Sequence, residues 1–391
     1  MSICSVKTGI DGAVEDIVTM MNGKFVKMTK YFLSFFLIVL MLLSMTGCVD
    51  QSGGGESKDT GIQGDVKTML EISDPQEKAA VESAKKKVAG MNSEPRLVAT
   101  SPATADICDR LGLDLVGVCS SAISKIPDRY KDVTTVGTAM SPDMEVISSL
   151  DPDWILSPAS LQSDLQPKYE AVNTDWAFLN LRSVQGMYRS IQELGDIFGR
   201  QEEAQKLVDE FTSFYNDYKD KNKDKEKPKV LILMGLPGSY IIATENSYVG
   251  SLVELAGGEN VYAGSNQEFL TVNTEDMKTK EPDIILRAAH ALPDQVVEMF
   301  KQDFETNDIW KHFKAVQEGR VYDLPYSQFG MSATFAYPDA LNTLQPMLYP
   351  ESDDDAAKAK ENSDNAAKAA ENSNATDNTD PNLIKEAEGG Q

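Results

Sequence analysis

The sequence predicts an α/β protein of two lobes with mainly parallel sheets, joined by one long rigid helix, with a ligand cleft between the lobes. Three observations carry this. Short apolar strand-like runs alternate with helical runs over 96–180 and again over 229–325, the pattern of parallel sheets. Between them, residues 183–222 keep a helical period. The segments PDMEVISSLDPDWIL (142–156) and NTEDMKTKEPDIIL (273–286) also repeat one another's layout, one in each half. At 391 residues with 41% apolar content, the chain can bury two ordinary cores. Each lobe is therefore expected to be Rossmann-like.

The first 47 residues read as an export signal. Lys24, Lys27 and Lys30 make a basic region, and YFLSFFLIVLMLLSM (31–45) an apolar run too short for a comfortable membrane span. It ends in LSMTGC, the pattern of a bacterial lipoprotein box, which makes Cys48 the lipidated first residue. Asp11, Glu15 and Asp16 do not suit a signal peptide, so translation is expected to start at Met20, Met21 or Met28. Residues 48–93 then hold the lipidated cysteine, a Gly/Ser-rich tether and a short peripheral helix (74–89) with Pro75 in its first turn.

The first lobe spans 94–182. Its strands are RLVAT (96–100), DLVGVC (114–119), TTVG (134–137), DPDWILSP (151–158) and WAFLN (176–180). Between them lie helices TADICDRLGL and PDMEVISSL, the latter starting at Pro142. The connecting helix is assigned to 183–227. Met187, Ile191, Leu194 and Phe198 line one face, and Leu207, Phe211, Phe214 and Tyr218 continue it, with Gly195 and Gly199 read as internal. The second lobe, 228–352, opens with KVLILMG. It continues through YIIAT, a helix over 247–258, strand DIIL, a helix from Pro293, an amphipathic helix and strand over 308–325, and a helix over 334–350. From 353 the chain is polar and acidic. AAKAKENSDN (356–365) recurs as AAKAAENSNA (366–375), and a segment with so few bulky apolar residues is expected to be a disordered tail.

The formal charge of −24 argues against nucleic acid as a partner. Cys108 and Cys119 sit at packing positions, and the sequence leaves open whether they pair. No CxxC or zinc-ligand spacing occurs. Of two histidines, His312 falls on an amphipathic helix and reads as a surface position. His290 falls just past strand Ile284–Leu286, where open α/β sheets bind ligands. One imidazole cannot build a metal cage, but it can be one axial ligand of a haem.

From about Arg96 to Tyr349 the chain resembles the haem-binding lipoproteins of the IsdE type. These belong to the helical-backbone class of substrate-binding proteins that also serves cobalamin and siderophores. The resemblance is carried by PDRYKDV, VGTAMSPDMEVISSLDPDWILS, VLILMGLPGSYIIATENSYVG, LAGGENV, EPDIILRAAHALPDQV and NDIWKHFKAV with RVYDL. It implies that haem b iron is held by Met140 from the first lobe and His290 from the second, with Met331 as reserve sulfur. It also implies that Glu145 and Glu275 dock onto basic residues of an ABC permease. Hydroxyls at the cleft mouth, Ser101, Ser120 and Ser121, are assigned to the propionates, and Leu236, Pro237, Tyr240 and Phe329 to the walls.

The function so implied is capture of haem, handed over by surface relay proteins, and its delivery for iron uptake. The protein would sit on the extracellular face of the membrane through the lipid on Cys48, and it would not be an enzyme. A siderophore or cobalamin binder of the same class is the alternative. A hydrolase or haem-processing enzyme is remote, since GxSxG, HExxH and P-loop patterns are missing from the sequence.

Overall fold

Strand runs apolar at every position, such as VLILM and IIL, can only be stable where both faces of a sheet are covered, and the fold gives them that cover twice. The structure is a computed structural model, and it describes residues 3–6 and 66–363 except 123, 173, 291, 353 and 356. Expectations for the signal peptide (beyond residues 3–6), Cys48, the tether up to residue 65 and the second decad lie outside the described residues.

In the first lobe, strands β1 (Ile3–Val6), β2 (Leu97–Ala99), β3 (Leu115–Val118), β4 (Thr134–Thr135), β5 (Trp154–Pro158) and β6 (Asp175–Leu179) lie in the order β1-β6-β5-β2-β3-β4. All pairings are parallel except β1 on β6, so residues 3–6, inside the stretch read as a signal, form an antiparallel edge strand. Helices α1 (Val66–Met69) and α2 (Pro75–Ala89) precede β2; α3 (Pro102–Arg110), α4 (Met144–Ser149) and α5 (Gln162–Glu170) connect the strands. Helix α2 is less peripheral than its composition suggests. It packs on the helix over 184–198, and Glu77, Val81 and Ala84 are buried.

The second lobe holds β7 (Lys229–Leu236), β8 (Ser239–Ala243), β9 (Glu259–Asn260), β10 (Phe269–Leu270), β11 (Ile284–Ala289) and β12 (Val321–Asp323). Their order is β10-β8-β7-β11-β12, with β9 also on β7. Strand β7 shows the pleat directly. Val230, Ile232 and Met234 enter a core shared with the helices between the lobes, while Leu231 and Leu233 enter the lobe's outer core beside Phe300 and Trp310. That outer core is closed by α10 (Pro293–Thr306), a turn of 3₁₀ helix at Asp308–His312 and α11 (Lys314–Gln317). The remaining helices are α8 (Tyr248–Leu255), α9 (Thr274–Thr279) and α12 (Tyr337–Leu348).

The connector departs most from expectation. Instead of one helix over 183–227 there are two, α6 (Val184–Phe198) and α7 (Gln201–Asn222), folded back on one another. Gly199 has φ 68°, a left-handed conformation that ends α6 as a helix cap. Tyr188 stacks on Phe211 with centroids 4.6 Å apart, and Gly195 lies against Ala204, which is the pairing of an antiparallel helical hairpin. Both faces read as one continuous stripe because each buries its apolar residues in the same core. At about 1.5 Å per residue, the 22 residues of α7 span about 33 Å.

The shared core contains side chains of both sheets and of α6, α7, α8 and α12, and the lobes belong to one compact unit. The tail also differs from expectation, being helical over 357–363 with Ala359 and Ser363 buried. Among the described residues, no helix is long and apolar enough to cross a membrane.

Candidate ligand-binding site

Met140 stands on a loop that the backbone closes tightly. After β4, Val136 N–H donates to Val118 O (2.9 Å) and Asp143 N–H returns to Val136 O (2.8 Å), while Gly137 and Pro142 form an antiparallel bridge. Gly137 has φ 87°, and a Cβ there would come within 2.7 Å of Ser141 O, so only glycine fits this closure. Ser141 N–H is held by Thr138 Oγ1 at 3.2 Å. At the tip, Met140 is 44% exposed, the one large apolar side chain so exposed among the described residues. A braced loop that presents a sulfur to solvent is unusual for a residue that normally fills cores.

His290 continues the ladder of the second sheet, its N–H donating to Gly235 O at 2.9 Å. Leu292 beside it is forced to φ 45° before Pro293 opens α10. The ring is half-buried, its Nδ1 is buried without a hydrogen-bond partner, and burial holds its pKa below the usual 6.5. The imidazole is therefore neutral near pH 7 and keeps a nitrogen lone pair for a metal. Each of the two residues thus lies past the carboxyl end of a parallel strand, one in each lobe. A thioether and a neutral imidazole from separate lobes are a donor set that suits a low-spin haem iron. Groups of three or more His, Cys, Asp or Glu able to hold a bare metal ion do not occur among the described residues.

The structure groups some of the other expected residues with Met140. Ser120 N–H donates to Gly137 O (2.8 Å), tying the exposed Ser120–Ser121 turn to the methionine loop. Ser121 Oγ accepts from Ser124 N–H at 3.0 Å. Ser101 follows the neighbouring strand β2, but it is 5% exposed, and its Oγ caps α3 by accepting from Thr104 N–H and bonds Thr104 Oγ1 at 2.7 Å.

Two wall assignments change. Phe329 is fully buried in the shared core. Tyr240 turns into the outer core against Phe300 and Trp310, donating to Asp303 Oδ2 at 2.9 Å; burial and that carboxylate raise its pKa. Strand alternation puts it on the face opposite His290, because Ala289 shares the outer core and Ala288 the inner one. Leu236 and Pro237 remain half-exposed at the end of β7, Met331 packs against the shared core, and His312 is exposed.

Glu145 and Glu275 occupy matching places. Each is exposed in the first turn of a six-residue helix, α4 or α9, behind a capping Asp143 or Asn273. Each helix leads to a left-handed residue, Asp151 (φ 46°) or Glu281 (φ 49°), then to Asp153 or Asp283. Asp153 Oδ2 accepts from Arg96 N–H at 2.8 Å, and Asp283 Oδ2 from Lys229 N–H at 3.0 Å, at the starts of β2 and β7. The lobes are therefore two copies of one local design, with a carboxylate at the same point of each.

Sequence reading missed the contacts that join the lobes behind the loops. Leu181 O accepts from Ala333 N–H (2.7 Å), Arg182 pairs with Glu268 (2.9 Å), and Arg110 lies over the ring of Phe335 (3.9 Å). It also missed Arg287, buried in β11 and held bidentately by Asp323 of β12 at 2.7 and 2.6 Å. An arginine inside an otherwise apolar strand was the available signal. Cys108 and Cys119 are free, and burial pushes both thiols up to about 12.

This two-lobed α/β architecture is that of a substrate-binding protein. The chain belongs to the periplasmic binding protein family, which it matches over residues 97–327. It is 41% identical over 259 residues to the high-affinity heme uptake system protein IsdE of Staphylococcus aureus strain Newman, spanning 66% of this chain and 88% of that protein. The crystal structure of S. aureus IsdE complexed with heme superposes with a TM-score of 0.62, covering 66% of this chain and all (100%) of that one. An ABC transporter substrate-binding protein from Listeria monocytogenes EGD-e is 48% identical, with a TM-score of 0.63 over 66% of this chain and 99% of that one.

Proposed function

We propose that this protein captures haem b outside the cell and delivers it to an ABC permease for iron uptake, without catalysing a reaction. The carrying observation is the pair Met140 and His290: an exposed sulfur on a rigid loop and a neutral imidazole past the matching sheet end, in a chain 41% identical to IsdE. Haem is cargo, bound by burial of its flat faces, with the two axial donors fixing its orientation. Ser120 and Ser121, exposed beside the Met140 loop, receive the propionates. Glu145 and Glu275 meet basic residues of the permease, and the lipid on Cys48 holds the protein at the membrane. Surface relay proteins are the haem donors in this reading. A siderophore would bring its own iron ligands and would have no use for a methionine–histidine pair.

The test is the absorption spectrum of haem-loaded protein beside Met140→Ala and His290→Ala. Each variant should lose the low-spin spectrum, and His290→Ala should also release haem faster. Wild-type spectra from both variants would remove the ligand assignment.

A further inference from the structure

Strand β12 is the last strand of the second sheet, so one of its edges lacks a partner strand among the described residues. Arg320 O and Leu324 N–H face β11, accepting from Ile285 N–H (3.0 Å) and donating to Arg287 O (2.8 Å). By alternation, Val321 O and Asp323 N–H face outward. Both are occupied. Lys360 Nζ donates to Val321 O at 2.8 Å, and Asp323 N–H donates to Ser363 Oγ at 2.6 Å. Ala359 and Ser363, one helical turn apart, are each 1% exposed.

We propose that residues 357–363, within the first decad of the tail, are a built-in cap for the sheet edge of the second lobe. It takes the backbone groups through which a second copy of this chain would otherwise pair by strand addition. Open edges of this kind invite association, and covering one with a helix is a known remedy. The cap also closes over Asp323, whose carboxylate holds Arg287 inside the sheet. The second decad keeps alanine and serine at the matching places, Ala369 and Ser373, but has Ala370 where the first has Lys360. The ammonium contact to Val321 O therefore singles out the first copy.

Hydrogen exchange and light scattering on the lipid-free full chain test this, beside a chain ending at Glu351 and the point variants Ser363→Ala and Lys360→Ala. The truncation should speed exchange of the Asp323 amide by about tenfold or more, as expected for an opened buried hydrogen bond, and should shift the protein toward dimers as concentration rises. Ser363→Ala should speed the same amide while leaving that of Ile285, on the covered side, protected. Unchanged exchange at Asp323 in both the truncation and Ser363→Ala would overturn the proposal. The haem spectrum is a separate readout, so failure of the cap and failure of the haem assignment are distinguishable.

Discussion

At the residue scale, the two proposed haem donors differ in how they are prepared. Met140 is ready because its loop is rigid, and His290 because burial disfavours its charged form. Its folded-state pKa lies below the ordinary 6.5, so the unfolded chain takes up the proton first as pH falls. The neutral ring therefore contributes stability above that value, and the contribution is lost as acid is added. Haem ligation follows the same direction, since a protonated ring cannot bind iron. Titrating the low-spin spectrum should give a midpoint below pH 6.5; loss of ligation near pH 7 or above would contradict the buried, neutral imidazole. The position of His290 just past a strand was legible from sequence, because an apolar run ends shortly before it. The bracing of Met140 was not, since the bond from Ser120 to Gly137 joins loops of different strands.

At the scale of elements, the helical hairpin shows where periodicity misleads. The apolar stripe of Met187 to Phe198 is buried, and so is that of Leu207 to Tyr218 except for Phe214, which is partly buried while Tyr215 takes the inner place. Periodicity does not say whether two stripes continue in line or fold back onto one core. Gly199 decided that, and a glycine within a helical period gives a weak signal until its φ is known. Gly199→Ala should cost about 1 kcal/mol, the penalty of a Cβ in the left-handed region, because no atom blocks the added methyl. Thermal unfolding should show a fall of a few degrees with the haem spectrum unchanged. An unchanged midpoint would mean that the cap conformation is not what holds the turn. The central strands were legible to within a few residues, as apolar runs bounded by Gly, Pro and Asp generally are, whereas the edge strands β1 and β10 were not. The helical stretch at 357–363 was not, since its polar composition hides two small side chains that fit one sheet edge.

At the scale of the whole molecule, the feature that matters is the core shared by both lobes. Together with the pairs Leu181–Ala333 and Arg182–Glu268, it holds the lobes at a set spacing. Glu145 and Glu275 are then two charges at a fixed separation, suited to meeting two basic sites at once. Either Glu145→Gln or Glu275→Gln should lower haem uptake by cells roughly tenfold while leaving the absorption spectrum of the purified protein intact. Normal uptake by the double variant would dismiss them as docking groups. The equivalence of these glutamates was visible in the repeated segments, but the matching roles of Asp153 and Asp283 needed the backbone. Each receives its bond from a residue more than 50 positions away.

The helical hairpin also bears on how the chain acquires its fold. Tyr188 and Phe211 are near neighbours in sequence, whereas Leu97 must find Trp154, and Val230 must find Ile284, across much longer loops. Closing a short loop costs less entropy, so contacts across Gly199 are favoured before either sheet is complete. A preformed pair of helices would then offer one apolar surface on which both sheets condense. The turn at Gly199 would thus bring the hairpin together ahead of the Leu97–Trp154 and Val230–Ile284 pairings, while β7 and β8, joined by a shorter turn, can pair as early.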